Sequence, residues 1–353
     1  MSVHNELRKD YLLNRWVIIA AERAKRPTDY AARPAEPETG RVCPFCPGNE
    51  RMTPPATLVY LPRDGGIAKE RDSDGLRHRG WLVRCFANLY PALRPEAEEP
   101  RPQGLELRLR SRAVGFHQII VESPNHDEHP GNARLSQLRL AFDAHLDLFR
   151  MLSSHEYVEY VQIFRNHGRE AGASLSHAHT QVIATPLIPT NVMREIEASK
   201  RYHEEEGGCA FCKIVEEERT SQRLIYENST FAVIAPWASV HPFEFWVLPK
   251  RHGSSLMGVS DPEKEGFVKA LRLSLGGLAR LLGDPPYNYG FHTSPKSDGE
   301  HSESYHWHLE VYPKLGIWAG FELSTGVYIN VTPPEMAAES LRGSVEAEAE
   351  VVG

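Results

Sequence analysis

The chain has 353 residues, and its 40 Lys and Arg against 47 Asp and Glu leave a formal net charge of −7. This balance excludes a general nucleic-acid-binding surface, which needs a basic face, although it permits a local basic pocket for phosphate. No apolar run approaches the length of a membrane span, and the first 25 residues lack the pattern of a secretory signal, so we expect a soluble cytoplasmic protein that binds neither membranes nor nucleic acid.

In the first half of the chain, the pattern predicts strands, one helix and two further strands. Residues 135–152 carry an apolar stripe at helical spacing. Residues 61–80 are rich in glycine and charge, which predicts an exposed loop. The basic segment around Arg23 and Arg26 fits a phosphate contact and a solvated loop equally well. The predicted strands are 11–20, 81–86, 115–121 and 157–164.

Four of the five cysteines form two C-x-x-C pairs, Cys43 with Cys46 and Cys209 with Cys212. Two thiols separated by two residues can both reach one tetrahedral zinc ion. A redox pair is the alternative, but it is expected at a helix start in a βαβ unit, which the first pair does not resemble. We therefore favour zinc, and we expect Cys85 to be a core residue.

The pattern of the first half restarts after a charged, helical connector at 191–207. A C-x-x-C pair, a histidine after a strand, a helix, a strand and an H-x-H strand recur in the same order. The spacing is 51 residues from His126 to His177 and 54 from His252 to His306. We therefore predict an α+β fold of two fused units, residues 1–190 and 191–353, with a mainly antiparallel sheet and packed helices.

The stretch SLSHAHTQ at 174–181 precedes an apolar run that predicts a short strand. Side chains on a strand alternate faces, so His177, His179 and Gln181 are expected to project from one side. In one interpretation, both histidines are metal ligands or buried core groups. In the other, His177 completes a metal site and His179 is free to act as a nucleophile.

The metal site of the second interpretation consists of Cys43, Cys46, His126 and His177. His117 and His129 compete with His126 for its place in this set. A Cys₂His₂ set is closed, which is typical of structural rather than catalytic zinc.

A neutral imidazole can attack phosphorus and form a covalent nucleotidyl intermediate. Gln181 can donate a hydrogen bond to a phosphate oxygen, but it cannot act as a general acid. A phosphate leaving group needs no protonation at neutral pH. The pair His179 and Gln181 therefore indicates cleavage of a diphosphate between its two phosphorus atoms.

Three motifs, SLSHAHTQ, CPFC with SPNH, and GFELSTGVYIN, resemble the galactose-1-phosphate uridylyltransferase family. This family is a branch of the histidine-triad superfamily with two fused triad-like halves, and the resemblance covers residues 9–334. It implies a homodimer and a ping-pong exchange in which UDP-glucose gives UMP to His179 and galactose 1-phosphate collects it. The residues that the resemblance assigns to substrate binding are Arg23, Arg26, Asn88, Asn166, Ser174, Phe321 and Glu322.

Two departures leave the nucleotide base open. Well-known bacterial members have N-P-H-P-H-G-Q where this chain has LSHAHTQ, and an acidic residue where this chain has Leu89. Both features look more like a divergent branch that includes a plant ADP-glucose:phosphate adenylyltransferase. A second zinc site, similar to the second zinc site of that branch, would have Cys209, Cys212, His252 and His306 as ligands. His308 is the alternative to His306 as the fourth ligand.

The first hypothesis is a UDP-glucose–hexose-1-phosphate uridylyltransferase with one or two zinc ions. The near alternative keeps the mechanism but uses ADP-glucose and phosphate. A third possibility is a dinucleotide hydrolase or phosphorylase. An alternative of another class is a zinc-ribbon binding protein, against which the negative charge and the long gaps between cysteines and histidines count.

Overall fold

The computed structural model of the protein describes residues 4–30, 42–73, 75–96, 103–296 and 302–352. Within these ranges the fold is mixed α/β, with a large antiparallel sheet. The strands are β1 (Glu6–Lys9), β2 (Trp16–Ile19), β3 (Ala56–Arg63), β4 (Gly66–Glu70), β5 (Val83–Ala87), β6 (Phe116–Val121), β7 (Tyr160–His167), β8 (His179–Thr185), β9 (Leu224–Glu227), β10 (Phe231–Ile234), β11 (Phe245–Pro249), β12 (Tyr287–His292), β13 (His308–Pro313) and β14 (Tyr328–Asn330). The helices are α1 (Leu135–Ser153), α2 (Thr190–Glu206), α3 (Ala210–Glu218), α4 (Asp261–Leu282), α5 (Gly320–Thr325) and α6 (Pro334–Val352).

Eleven strands form one continuous sheet in the order β4-β3-β5-β6-β8-β7-β12-β13-β11-β10-β9. Every neighbouring pair in it is antiparallel. A small second sheet has the order β1-β2-β14. The predicted antiparallel sheet with packed helices is thereby confirmed.

The large sheet has the same strand pattern on both sides of its centre. Read outwards from the junction of β7 and β12, one side runs β7-β8-β6-β5-β3 and the other runs β12-β13-β11-β10-β9, and the first side has β4 as an additional edge strand. The strand that begins at His179 therefore matches the strand that begins at His308. At the junction, β7 pairs with β12 from Tyr287 opposite His167 to Gly290 opposite Phe164.

Helices α1 and α4 cover the sheet with their apolar faces. The helix predicted at 135–152 is α1, and its buried Phe142 packs on Phe267 of α4 with the ring centroids 4.3 Å apart. Helix α4 starts at a capping box, in which the backbone N–H of Ser260 donates to Glu263 at 2.8 Å. These two helices join the cores of both sides of the sheet.

Two parts of the fold differ from the sequence-based expectation or go beyond it. The predicted loop at 61–80 is wrong for residues 61–70, because β3 and β4 form a hairpin there through the left-handed Gly65 and the neighbouring Gly66. Helix α6 was not predicted. It lies close against α4, where a Cβ on Gly277 would come within 2.7 Å of Val345 Cγ2.

None of the helices in the described ranges combines the length and the apolar character needed to cross a membrane.

Candidate active site and metal centres

His179 is the first residue of β8, which lies between β6 and β7 near the middle of the large sheet. The pattern predicted that His177 shares this strand, but the strand starts at His179 and His177 lies in the segment before it. The ring of His177 is bound elsewhere, since its Nε2–H donates to the carbonyl of Ser123 at 2.8 Å. His179 and Gln181, two residues apart on β8, do share a face.

The ring of His179 is held in one tautomer. Its Nδ1–H donates to the carbonyl of His177 at 2.8 Å, so Nε2 keeps its lone pair. Burial lowers the pKa of His179, and the charge of Arg165 acts in the same direction, although the bond to the His177 carbonyl opposes them. The residue is 6% exposed, and Phe45 packs edge-on against it. The result is a neutral imidazole with a nucleophilic Nε2.

Gln181 is oriented by His117 on the neighbouring strand β6. The Oε1 of Gln181 lies 2.9 Å from His117 Nε2. Asn88 also lies beside His117, and its amide nitrogen is 3.1 Å from His117 Nε2. The sequence had offered His117 as a competing metal ligand, whereas the structure places it beside the amide of Gln181.

The first metal-binding candidate consists of Cys43, Cys46, His126 and His177, whose ligand atoms all lie within 4.8 Å of one another. The sulfur of Cys46 is 3.3 Å from His126 Nδ1 and 3.5 Å from His177 Nδ1. Burial and the neighbouring Cys43 raise the pKa of Cys46 to about 11, so this thiol favours its proton unless a cation is present. The four residues predicted for this site are thus brought together.

The second candidate consists of Cys209, Cys212, His252 and His306. Cys212 Sγ lies 3.4 Å from His252 Nδ1 and 3.5 Å from His306 Nδ1. His308 faces a different group, because its Nε2 is 3.2 Å from Glu310. Of the two histidines that competed in the sequence, His306 is therefore the one beside the thiols.

Both sets fit zinc by donor type and by spacing. Tetrahedral zinc with bonds of about 2.0–2.3 Å places its ligand atoms about 3.3–3.8 Å apart, which matches the distances above. Three of the four histidines also donate Nε2–H to a backbone carbonyl, which turns the lone pair of Nδ1 toward the thiols. These bonds are 2.8 Å from His177 to Ser123, 2.7 Å from His252 to Ser302 and 3.0 Å from His306 to Pro249.

Cobalt substitution should distinguish His306 from His308. In a Co²⁺-loaded protein, the thiolate-to-metal absorption band reports only on sites that contain cysteine. We expect His306→Ala to reduce this band by up to about half, because the second of the two thiolate sets is left with three ligands and holds Co²⁺ less tightly. His308→Ala is the matched control and should leave the band unchanged. Equal loss in both variants would contradict the assignment.

A third group of potential ligands lies beside His308 and was not predicted. The ligand atoms of Glu195, His292 and His308 lie within 4.8 Å of one another, and Glu310 adjoins them. Burial opposes protonation of His292, but Glu195 and Glu310 outweigh it and raise the pKa of His292 to about 9. The alternation of His308 with Glu310 on one strand was the sequence signal that could have indicated part of this group. Glu195 could not be added to it, because it lies on α2, which the sequence suggested was only a connector.

The two matching histidines therefore differ in what their Nε2 atoms face. Nε2 of His308 is hydrogen-bonded to Glu310. Glu310 follows His308 by two residues, as Gln181 follows His179. Among the described residues, no hydrogen bond or ion pair occupies Nε2 of His179. Of these two described histidines, His179 alone presents an imidazole nitrogen without a hydrogen-bond partner near an amide.

A buried ion pair supports β8 from the opposite face of the sheet. Arg165 and Glu122, 1% and 4% exposed, pair directly, and the hydroxyl of Thr180 donates to the same carboxylate. Burial would raise the pKa of Glu122, but Arg165, His145 and Thr180 together outweigh it and lower the pKa to about 2. Loss of one partner would leave an uncompensated buried charge at a cost of about 3–5 kcal/mol, so both residues are needed behind the strand of His179.

Of the substrate residues assigned by resemblance, two lie on segments that adjoin β8, and Asn88 lies after β5, one strand further away. Asn88 contacts His117, as described above. Asn166, near the end of β7, accepts a hydrogen bond from Asn288 at 2.8 Å. Ser174 is exposed in the segment between β7 and β8.

The other four substrate residues lie on segments outside the large sheet that carries His179. Arg23 and Arg26 are exposed after β2 of the small sheet. Phe321 and Glu322 lie on α5, where Phe321 is 46% exposed and Glu322 accepts from the N–H of Ala319. Across the described residues, no hydrogen bond or ion pair joins these four side chains to His179 or Gln181.

Two protein-family models match the chain. The model for the galactose-1-phosphate uridyl transferase C-terminal domain matches residues 160–342, and that for the N-terminal domain of the same enzyme matches residues 82–189.

Similar proteins cover nearly the whole chain. An ADP-glucose phosphorylase of Arabidopsis thaliana is 37% identical over 96% of this chain and 92% of its own length. A galactose-1-phosphate uridylyltransferase of Thermotoga maritima is 30% identical over 98% of this chain and 99% of its own length. The crystal structure of an Arabidopsis thaliana ADP-glucose phosphorylase with bound ADP-glucose matches with a TM-score of 0.78 and 33% identity over 96% of this chain and 98% of that one. A uridylyltransferase structure matches with a TM-score of 0.72 and 27% identity, and the match covers 98% of this chain and 99% of that one. These findings confirm the resemblance seen in the sequence.

Proposed function

Because the chain belongs to the galactose-1-phosphate uridyl transferase family, we propose that it is a nucleotidyltransferase that works through a covalent nucleotidyl-His179. The observation that carries this proposal is the hydrogen bond from His179 Nδ1–H to the His177 carbonyl, which leaves Nε2 unprotonated. Attack of Nε2 on the α-phosphorus of a sugar nucleotide forms a P–N bond. The bond from that phosphorus to the bridging oxygen breaks, and the sugar phosphate leaves with the electron pair.

The second step reverses the first with another acceptor. A phosphate oxygen of the acceptor attacks the same phosphorus, the P–N bond breaks, and Nε2 regains its lone pair. Neither step needs a general acid, since each leaving group is stable as it departs. Gln181, next to His179 on the same strand face, donates to a non-bridging phosphoryl oxygen as charge builds on it.

The two Cys₂His₂ sets are proposed to hold structural zinc. When bound at the first set, zinc neutralises the thiolates and cross-links the segments of Cys43, His126 and His177. The carbonyl of His177 is then fixed, and this carbonyl orients His179. Second-shell bonding of this kind is what sets a ligand's tautomer and orientation.

The first candidate donor is UDP-glucose, with a hexose 1-phosphate such as galactose 1-phosphate as acceptor. Both family models and the Thermotoga maritima relative support it. The second candidate is ADP-glucose with inorganic phosphate as acceptor. It is favoured by the 37% identity to a plant ADP-glucose phosphorylase, against 30% to the uridylyltransferase, and by Leu89 in place of an acidic residue.

The substrate residues and the assembly are proposed together. Asn88, Asn166 and Ser174 are the proposed nucleotide contacts within one chain. Asn166 and Ser174 lie on segments that adjoin the strand of His179, and Asn88 contacts His117 on the next strand. Phe321 is exposed and Glu322 is half-buried on α5, and we propose that this helix reaches the site of a second copy in a homodimer. Arg23 and Arg26 are proposed as phosphate contacts. Five free cysteines suit a reducing, cytoplasmic location.

The matched strand order about β7 and β12 supports two fused, histidine-triad-like units, residues 1–190 and 191–353. In this proposal the first unit carries the nucleophile. The second unit is structural and contributes to the acceptor site. The zinc-ribbon alternative is set aside, because the chain matches the transferase family over most of its length.

Release of glucose 1-phosphate in the absence of any acceptor tests the proposal and identifies the donor. The protein is incubated with UDP-glucose or with ADP-glucose, and we expect a burst of at most one equivalent per chain from the correct donor. Galactose 1-phosphate or phosphate added afterwards should restart release. Continuous release without an acceptor would instead identify a hydrolase.

A further inference from the structure

His117 is a buried histidine that belongs to neither cysteine set and does not contact the nucleophile. It lies on β6, diagonally across from Gln181 of β8 on the same face of the sheet. Its Nδ1 accepts the backbone N–H of Ala92 at 3.1 Å. A peptide N–H can only donate, so Nδ1 carries no proton, and the neutral ring must carry its proton on Nε2.

The proton on Nε2 determines how the amide of Gln181 is turned. Nε2 of His117 lies 2.9 Å from Gln181 Oε1 and donates to it. Asn88 offers no acceptor for this proton, because its amide nitrogen lies 3.1 Å from Nε2 and its oxygen accepts from the N–H of Tyr90 at 3.0 Å. With Nε2 protonated, the contact between these two nitrogens joins donor to donor and forms no hydrogen bond, so Gln181 Oε1 is the acceptor. With its oxygen bound to His117, Gln181 directs its NH₂ group away from that ring.

We propose that His117 is a positioning residue that fixes the amide orientation of Gln181, so that the NH₂ group, not the oxygen, meets the phosphoryl group. The inference rests on the proposed function. The two orientations of a glutamine amide differ by a rotation of half a turn and are nearly equal in shape. In the wrong one, a carbonyl oxygen would face the negative oxygens of the phosphate. Preorganised donors are what such a site needs, because reorganisation during the reaction is costly.

The environment of His117 supports this role. The residue is 8% exposed, and burial lowers its pKa, although the bond to Gln181 opposes that shift. The ring therefore stays neutral near pH 7 and keeps one donor and one acceptor. A doubly protonated ring could not accept from Ala92, so the same neutral state satisfies both contacts.

Two substitutions separate the donor of His117 from its acceptor. In His117→Gln, the amide nitrogen can occupy the place of Nε2 and donate to Gln181. In His117→Asn, the oxygen can occupy the place of Nδ1 and accept from Ala92, but nothing reaches Gln181. We expect His117→Asn to lower kcat by about tenfold or more with little change in KM, because the lost contact acts in the transition state. His117→Gln should recover most of this loss.

A double-mutant cycle decides whether the effect passes through Gln181. In a Gln181→Ala background, His117→Asn should cause no further loss. Three results would each overturn the proposal. The first is an equal loss of kcat in His117→Asn and His117→Gln, and the second is no loss of kcat in His117→Asn. The third is a full additional loss of kcat when His117→Asn is added to Gln181→Ala.

The tautomer provides a readout that does not depend on activity. Ring ¹⁵N spectra, with the His117 signals identified by their absence in His117→Asn, should show a protonated Nε2 and an unprotonated Nδ1. The opposite tautomer would overturn the role of His117 even in an active enzyme. If the wild-type chain forms no nucleotidyl adduct with either donor, the proposed function fails, and the role of His117 in it fails too, whatever the tautomer.

Discussion

His179→Ala is expected to abolish nucleotidyl transfer, with a loss on the order of 10⁴-fold or more, as for other residues that form the covalent bond. The loss should appear in kcat, since the Nε2 atom takes part in bond making and not in holding the substrate. The chain should stay folded, because removal of the ring leaves both cysteine sets intact. Stopped-flow or quenched release of glucose 1-phosphate measures the first half-reaction directly.

The matched variant is His308→Ala, since His308 begins the strand that corresponds to β8. Its Nε2 faces Glu310, so it is not expected to carry a nucleotide. His308→Ala should still form the covalent adduct, even if its rate changes through packing. If the adduct disappears in His308→Ala and persists in His179→Ala, the nucleophile lies in the second half of the chain and the assignment to His179 is wrong.

Removal of zinc is expected to unfold the chain and not merely inactivate it. Each Cys₂His₂ set joins distant parts of the sequence, such as Cys43 with His177 and Cys212 with His306. Structural zinc of this type contributes apparent free energies of about 10–16 kcal/mol, which exceeds the stability of most domains. A strong chelator should therefore abolish the cooperative thermal transition seen by circular dichroism, and added zinc should restore it.

Cysteine variants provide the control for this experiment. Cys46→Ser should lose zinc and stability together, whereas Cys85→Ala should keep its zinc, because Cys85 is a buried core residue outside both sets. A metal-free chain that keeps its cooperative transition would contradict a structural role for the two sites.

Much of the site could be predicted because its residues are close in sequence or carry a recognisable spacing. The two C-x-x-C pairs, each followed by a histidine after a strand, indicated sets that the structure does bring together. The choice between His306 and His308 could not be made, because both fit one strand pattern. In the structure, β13 begins only at His308, so His306 is free to turn toward Cys212.

Other features depend on contacts that local patterns do not contain. His117 resembled a spare metal ligand, and only the pairing of β6 with β8 shows that it meets Gln181. Arg165 and Glu122 looked like ordinary strand and turn residues, although they form a buried pair behind β8. The hairpin of β3 and β4 was missed because its glycines and charges resembled those of a loop.

Intact-mass measurement tests the central claim most directly. The wild-type chain and His179→Ala are each incubated with UDP-glucose and, separately, with ADP-glucose, then denatured without acid, since phosphorus–nitrogen bonds are acid-labile. We predict that the wild-type chain gains the mass of UMP or of AMP from one of the two donors, and that His179→Ala gains neither. An adduct of the same size on His179→Ala, or none on the wild-type chain, would contradict covalent transfer through His179.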